Sequence, residues 1–218
     1  MQKIDSRELI DMAEMLSDLP VRIELAYALE DNLLFGERIY GAEAKLWLHV
    51  RLAKIVEISA RSLVGSDYRL VLYDGLRTTT AQERMLNTKR VQDHPHWLEE
   101  PRLLSPPGKG AHPRGMAIDV SLEHREDGLL DMGSAFDYLS DDPSPKGNIA
   151  HRQYEHSDEV MQNRKMLDDL MLKAAEACGE ELLLLSQEWW DFRLTPTVYE
   201  VYVPLSDEDL PLAMRMCD

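Results

Sequence analysis

Gly110-Ala111-His112-Pro113-Arg114-Gly115-Met116-Ala117-Ile118-Asp119 places a histidine seven residues before an aspartate, with glycine and small apolar residues between. From Met116 to Leu122 the chain reads as a strand, and Asp119 stands inside it between Ile118 and Val120. A carboxylate in a largely buried strand needs a partner, and a metal ion is one of the few adequate ones. His112 ends an irregular stretch, residues 93–114, that holds five prolines and two glycines, so a turn can bring imidazole and carboxylate to one point. Both groups are good zinc ligands, and a catalytic zinc takes three protein ligands and keeps one position open. Taken alone, the pair reads equally as an incidental loop histidine and strand aspartate.

A second stretch, Glu188-Trp189-Trp190-Asp191-Phe192, follows a short apolar strand at Leu182–Leu185. Apolar walls raise a carboxyl pKa toward the range of a general base, which makes Glu188 a candidate for taking a proton from water. The plainer alternative is a strand-end glutamate beside core aromatics. Arg77 lies just past the Asp74-Gly75 turn, where a guanidinium can hold a developing oxyanion or a surface ion pair. Asp137, in Met132-Gly133-Ser134-Ala135-Phe136-Asp137, is either a turn aspartate or an acceptor for a substrate ammonium.

Working outward, Asp5 and Glu8 form a capping box for a helix over 6–17, stopped at Leu19-Pro20. An apolar stripe through Leu48, Leu52, Ile55, Val56 and Leu63 predicts a long helix over 42–64, with Gly65 just past its end. Tyr68–Tyr73 is a strand, and Thr78 or Thr79 caps a helix over 80–91. Residues 141–157 form a second long loop, of the kind that serves as a lid or binding segment. Asp158 caps a helix to Cys178, with Gly179 ending it, and Val198–Val203 reads as a last strand. Helices dominate the first third and strands come in two groups. That argues an α+β domain with a small, mainly antiparallel sheet flanked by helices, residues 1–20 forming an N-terminal extension and 204–218 a tail.

The chain has 40 acidic against 24 basic residues, a net charge of −16, which disfavours nucleic acid and anionic membrane surfaces. Cys178 and Cys217 are too few and too far apart for a disulfide framework. The start, Met1-Gln2-Lys3-Ile4-Asp5, lacks an apolar leader, and nothing is long and apolar enough to span a membrane, so a cytoplasmic location is expected.

Together, Asp74-Gly75-Leu76-Arg77, His112 through Asp119, Met132 through Asp137 and Glu188-Trp189-Trp190 resemble the VanX-type D-alanyl-D-alanine dipeptidases. Tyr27-Ala28, Asp31-Asn32 and Asn163-Arg164 fit the same family, and the similarity runs from about residue 20 to about residue 203. The resemblance implies the α+β fold shared with zinc D,D-carboxypeptidases and hedgehog-type domains, and hydrolysis of a small D,D-dipeptide in the cytoplasm. It implies His112 and Asp119 as zinc ligands, Glu188 as base and Arg77 as transition-state stabiliser. Asp137 would hold the substrate amino group, and Tyr27 and Trp189 would line the pocket.

Two positions depart from the family pattern. Where the family has its third ligand, a histidine, this chain has Asp191, and a serine pair before the motif histidine is replaced by Gly110-Ala111. Asp191 can ligate through oxygen, which tilts the site from Zn²⁺ toward harder ions such as Mn²⁺ or Mg²⁺. Two carboxylates and one imidazole would also neutralise the ion and weaken its effect on bound water. His151 or His156 could fill in from the second loop. Three readings follow: a metallo-dipeptidase with one ion per chain, a non-catalytic relative that binds a cell-wall peptide or a protein partner, or a peptidase acting on larger fragments.

Overall fold

A computed structural model of the chain describes residues 1–32, 34–100 and 102–217; Leu33 and Pro101, both in stretches read as connecting segments, and the terminal Asp218 lie outside the described residues. The capping box forms as expected: Asp5 accepts from the Arg7 amide and Glu8 from the Asp5 amide. The helix expected over 6–17 does not follow. After a 3₁₀ turn the chain enters strand β1 (Leu9–Asp11), and Asp11 caps a single turn of helix, α1 (Met12–Met15). β1 is claimed by an antiparallel partner, β3 (Trp47–His49), with Leu9 opposite His49. The same pairing shortens the next helix from the expected 42–64 to α2 (Val50–Ser62), where His49 accepts from the Arg51 amide as N-cap. Cross-strand pairing outside the local window has overridden helical periodicity at both places.

The main sheet has six strands. Besides β2 (Val21–Ile23) these are β4 (Tyr68–Asp74), β5 (Ala117–His124), β6 (Gly128–Leu129), β7 (Leu182–Leu184) and β8 (Asp191–Leu194). The order is β2-β4-β5-β8-β7, with β6 paired to the end of β5. Only β2–β4 is parallel, so the sheet is mainly antiparallel, as expected. Every residue from Ala117 to Glu123 is buried, which means that both faces of the central strand are covered.

The described residues hold four further α-helices: α3 (Thr79–Leu86), capped by Thr78; α4 (Lys89–Asp93); α5 (Asp158–Ala177), capped by Ser157 rather than Asp158; and α6 (Pro196–Tyr199). α6 stands where a last strand was expected at Val198–Val203. Pro196 at the first helical position, with its φ fixed for a helix, starts a turn that the β-branched residues alone do not announce. α2 and α5 pack together, with Ser59 Oγ donating to Met171 Sδ at 3.4 Å between them. Both ends of the chain join the core. Leu9, Met12 and Leu16 are buried in the first twenty residues, and Leu205, Leu210 and Met216 in the last fifteen.

The loop 141–157 is pinned rather than hinged. Arg164 of α5 donates to the carbonyls of Met132, Ile149 and His151. Fully buried Asn148 donates to Gln187 O, and Arg152 reaches Leu185 O, Trp189 O, Asp191 O and the Asp168 carboxylate. Those bonds fix the approach to β8.

Candidate active site

Strand register builds the site. In the ladder between β4 and β5, Asp74 stands opposite Asp119; between β5 and β8, Asp119 stands opposite Asp191. Three carboxylates therefore lie side by side on adjacent strands, all buried. A bulge between Leu72 and Asp74 produces the first pairing; regular register after Leu72–Val120 would set Tyr73, not Asp74, against Asp119. Like charges directly opposite one another in a sheet are destabilising, so such a row needs cations.

Three cationic or cationisable side chains meet it. Arg77 donates to Asp74 Oδ2 from Nε (2.9 Å), and its Nη2 lies 2.8 Å from the same oxygen and 3.3 Å from Asp119 Oδ2. Arg193, two residues along β8 and hence on the same face as Asp191, grips both oxygens of Asp191, with Nε at 2.7 Å from Oδ1 and Nη2 on Oδ2. His112 donates from Nδ1 to Gly75 O at 2.7 Å, which turns Nε2 toward Asp191 Oδ2 (3.3 Å) and Asp119 Oδ1 (3.5 Å). Gly75 itself packs tightly against β3, where a Cβ would meet Trp47 O at 2.8 Å.

Around this centre lies a cavity of about 310 Å³. Glu188 opens onto it, and its carboxylate accepts no hydrogen bond among the described residues. Burial, then the Asp191 and Asp119 carboxylates, pushes Glu188 up to about 8. Burial and Asp119 do the same to Asp137, also to about 8, although Tyr27 donates to it at 2.9 Å. Asp137 is the only non-glycine residue at positive φ among the described residues, +60°, a conformation that tends to be kept where a side chain must be aimed. Burial and Arg77 act to lower the His112 pKa, but Asp119 and Asp191 overrule them and raise it to about 10 in the ion-free protein. Burial alone would raise Asp191, and Arg193 and His112 hold it well below the usual carboxylate range.

The expected site residues thus converge, with one exception. Tyr27, Arg77, His112, Asp119, Asp137, Glu188 and Asp191 all line the cavity. Trp189 does not: its ring is buried behind the wall, and Nε1 donates to Ser134 Oγ at 2.8 Å, while Trp190 faces the cavity instead. His151 and His156 stay away from it, turned to the Gln153 amide and to Ile149 O. Sequence reading missed Asp74, Tyr40 and Arg193. Asp74, which the Asp-Gly pair marks as a turn residue, is fully buried and accepts from Tyr40 at 2.7 Å. Arg193 could have been found from its place two residues after Asp191 in a strand.

Residues 5–205 match the D-Ala-D-Ala dipeptidase family of the M15 peptidases. The chain belongs to that family. It is 30% identical over 195 residues to the D-alanyl-D-alanine dipeptidase of Escherichia coli (strain K12), covering 87% of this chain and 86% of that one. Among solved structures it has a distant likeness to the Serratia marcescens L-Ala D-Glu endopeptidase ChiX, with TM-score 0.42, 15% identity and coverage of 84% of this chain and 98% of that one. A second is the LD-carboxypeptidase LdcB, with TM-score 0.43, 12% identity and coverage of 88% and 69%.

The residues present fit a bound ion. Asp119 Oδ1 is buried and has no hydrogen-bond partner among the described residues, so it is available to an ion. Donors around a four-coordinate ion bound at ~2.1 Å stand about 3.4 Å apart; the His112 Nε2 distances to Asp191 and Asp119 are 3.3 and 3.5 Å. Asp74, His112 and Asp119 also bring donor atoms within 4.8 Å of one another. Asp74, however, is committed through both oxygens to Tyr40 and Arg77, and the imidazole nitrogen nearest it, Nδ1, is taken by Gly75. Asp74 therefore anchors Arg77, while Asp191 brings an oxygen to 3.3 Å from His112 Nε2, the imidazole nitrogen that Gly75 leaves open, although Arg193 holds both Asp191 oxygens in turn. Arg193 offsets the negative charge of Asp191.

Proposed function

We propose that this chain is a metal-dependent dipeptidase that hydrolyses D-Ala-D-Ala or a closely similar D,D-dipeptide. The observation that carries the reading is the Asp119 oxygen without a partner, facing His112 Nε2 at 3.5 Å inside a cavity that Glu188 also enters. His112, Asp119 and Asp191 would hold one divalent ion, zinc by family and Mn²⁺ as the alternative that two oxygen donors favour. When bound, the ion supplies Lewis-acid activation of water and of the scissile carbonyl.

The protein groups divide the remaining work. Glu188 takes a proton from the attacking water and passes it to the leaving amine. Arg77, anchored by Asp74, donates to the carbonyl oxygen as negative charge builds there. Asp137 accepts from the substrate ammonium, with Tyr27 OH holding the carboxylate in place at 2.9 Å. Trp190 closes the apolar wall.

The test is hydrolysis of D-Ala-D-Ala by protein supplied with Zn²⁺ or Mn²⁺, compared with Glu188→Gln. Loss of a general base lowers turnover by roughly 10²–10⁴-fold; unchanged turnover in Glu188→Gln sinks the assignment. A second reading, a non-catalytic binding protein, draws on the grip of Arg193 on both Asp191 oxygens, which competes with an ion. It predicts peptide binding without turnover under either metal.

A further inference from the structure

Arg193 has five donor hydrogens, and Asp191 occupies only those on Nε and Nη2. Nη1 has no hydrogen-bond partner among the described residues. The side chain is 11% exposed and lines the cavity, as do Gly110, Ser105 and Lys109. Gly110 sits at φ +80°, and a Cβ built on it would stand 3.7 Å from Nη1. The absence of a side chain at 110 therefore leaves the space in front of that nitrogen open. The two places where this chain departs from its family pattern, Asp191 and Gly110, meet at this one guanidinium.

A buried cation with one unpaired nitrogen edge, rigidly held through its other two nitrogens, is a preformed anion receptor. It lies on β8, across β5 from β4, the strand whose end leads to Arg77. The contacts run Asp137–Tyr27–Arg77–Asp119 on one side and His112–Asp191–Arg193 on the other. The cavity is thus polarised, with a carboxyl that takes an ammonium at one end and a guanidinium at the other. Lys109, exposed and without an ion-pair partner among the described residues, also lines the cavity, as do Glu100 and Arg102, which pair with each other.

We propose that Arg193 Nη1 binds the free C-terminal carboxylate of the substrate, and so restricts the enzyme to peptides that end one residue beyond the scissile bond. This rests on the dipeptidase reading and names the residue that sets its substrate length. It excludes the internal bonds of longer cell-wall peptides, which present a neutral amide at that point.

The experiment compares D-Ala-D-Ala with its C-terminal amide, by calorimetric binding to metal-loaded Glu188→Gln and by kcat/KM of the metal-loaded wild type. Charge-assisted hydrogen bonds predict that the amide binds at least about tenfold more weakly. In Arg193→Met the acid-to-amide ratio should fall to near one, and Arg193→Lys should keep part of the preference. A ratio near one in the wild type overturns the inference without recourse to any variant, which matters because Arg193 also steadies Asp191. A ratio unchanged in a folded Arg193→Met overturns it too, as does failure of Glu188→Gln to bind the dipeptide at all. Acid-selective binding with no hydrolysis by the wild type would support this inference while refuting the dipeptidase reading on which the length restriction depends.

Discussion

Replacing Asp74 by Asn isolates the group that sequence reading did not find. Asp74 is fully buried and accepts from Tyr40 at 2.7 Å and from Arg77 Nε at 2.9 Å. Asparagine keeps the shape but removes the charge that balances a buried guanidinium. Breaking one side of a buried ion pair costs ~3–5 kcal/mol. Two features place this case at the low end. Arg77 retains Asp119 at 3.3 Å, and burial already raises the Asp74 pKa, so the carboxylate is costly to keep ionised. Relief of the like-charge contact between Asp74 and Asp119 returns only ~0.2–1 kcal/mol, too little to reverse the sign. The expected loss is ~3 kcal/mol, and at ~2–4 °C per kcal/mol for a chain of this size the melting temperature falls by ~6–12 °C. Urea unfolding followed by circular dichroism measures it. Stability within ~0.5 kcal/mol of wild type, the range of an ordinary surface change, would refute the reasoning.

Four other substitutions follow from the same geometry. Gly75→Ala forces a Cβ to within 2.8 Å of Trp47 O and 2.9 Å of Leu48 Cδ2. It should cost ~1–3 kcal/mol in urea unfolding and weaken metal binding by shifting the carbonyl that orients His112. Trp189→Phe loses the 2.8 Å bond to Ser134; it should lower stability by about 1 kcal/mol while KM stays within about twofold, whereas a large KM rise would return Trp189 to the substrate wall. His151→Ala and His156→Ala should leave metal content unchanged, because both rings are turned to other partners; loss of the ion in either would show that a loop histidine completes the site.

How far the sequence carried depended on the range of the interactions involved. β4, β5 and α5 were legible because their signals are local: an apolar run, or a 3.6-residue stripe ended by Gly179. Asp119 was legible as a buried carboxylate for the same reason. β1 and β3 were not, since each is a strand only by pairing with the other across the chain. Asp74 was read as a turn because Asp-Gly commonly turns a strand; a bulge one residue earlier instead sets it beside Asp119, and no local pattern announces a bulge. Reading Asp191 alone gave a site of diminished charge. Arg193, on the same face of the same strand, restores that balance, and the restoration appears only when β8 is recognised as a strand.

The central claim is that His112, Asp119 and Asp191, and not Asp74, hold one divalent ion. Metal content by mass spectrometry, after dialysis against Zn²⁺ or Mn²⁺, should be run on wild type, Asp191→Asn and Asp74→Asn together. The account predicts about one ion per chain in the wild type, as in a mononuclear catalytic site, retention in Asp74→Asn and loss in Asp191→Asn. A wild type that takes up no ion, or an Asp191→Asn protein that keeps it while Asp74→Asn loses it, would contradict the account.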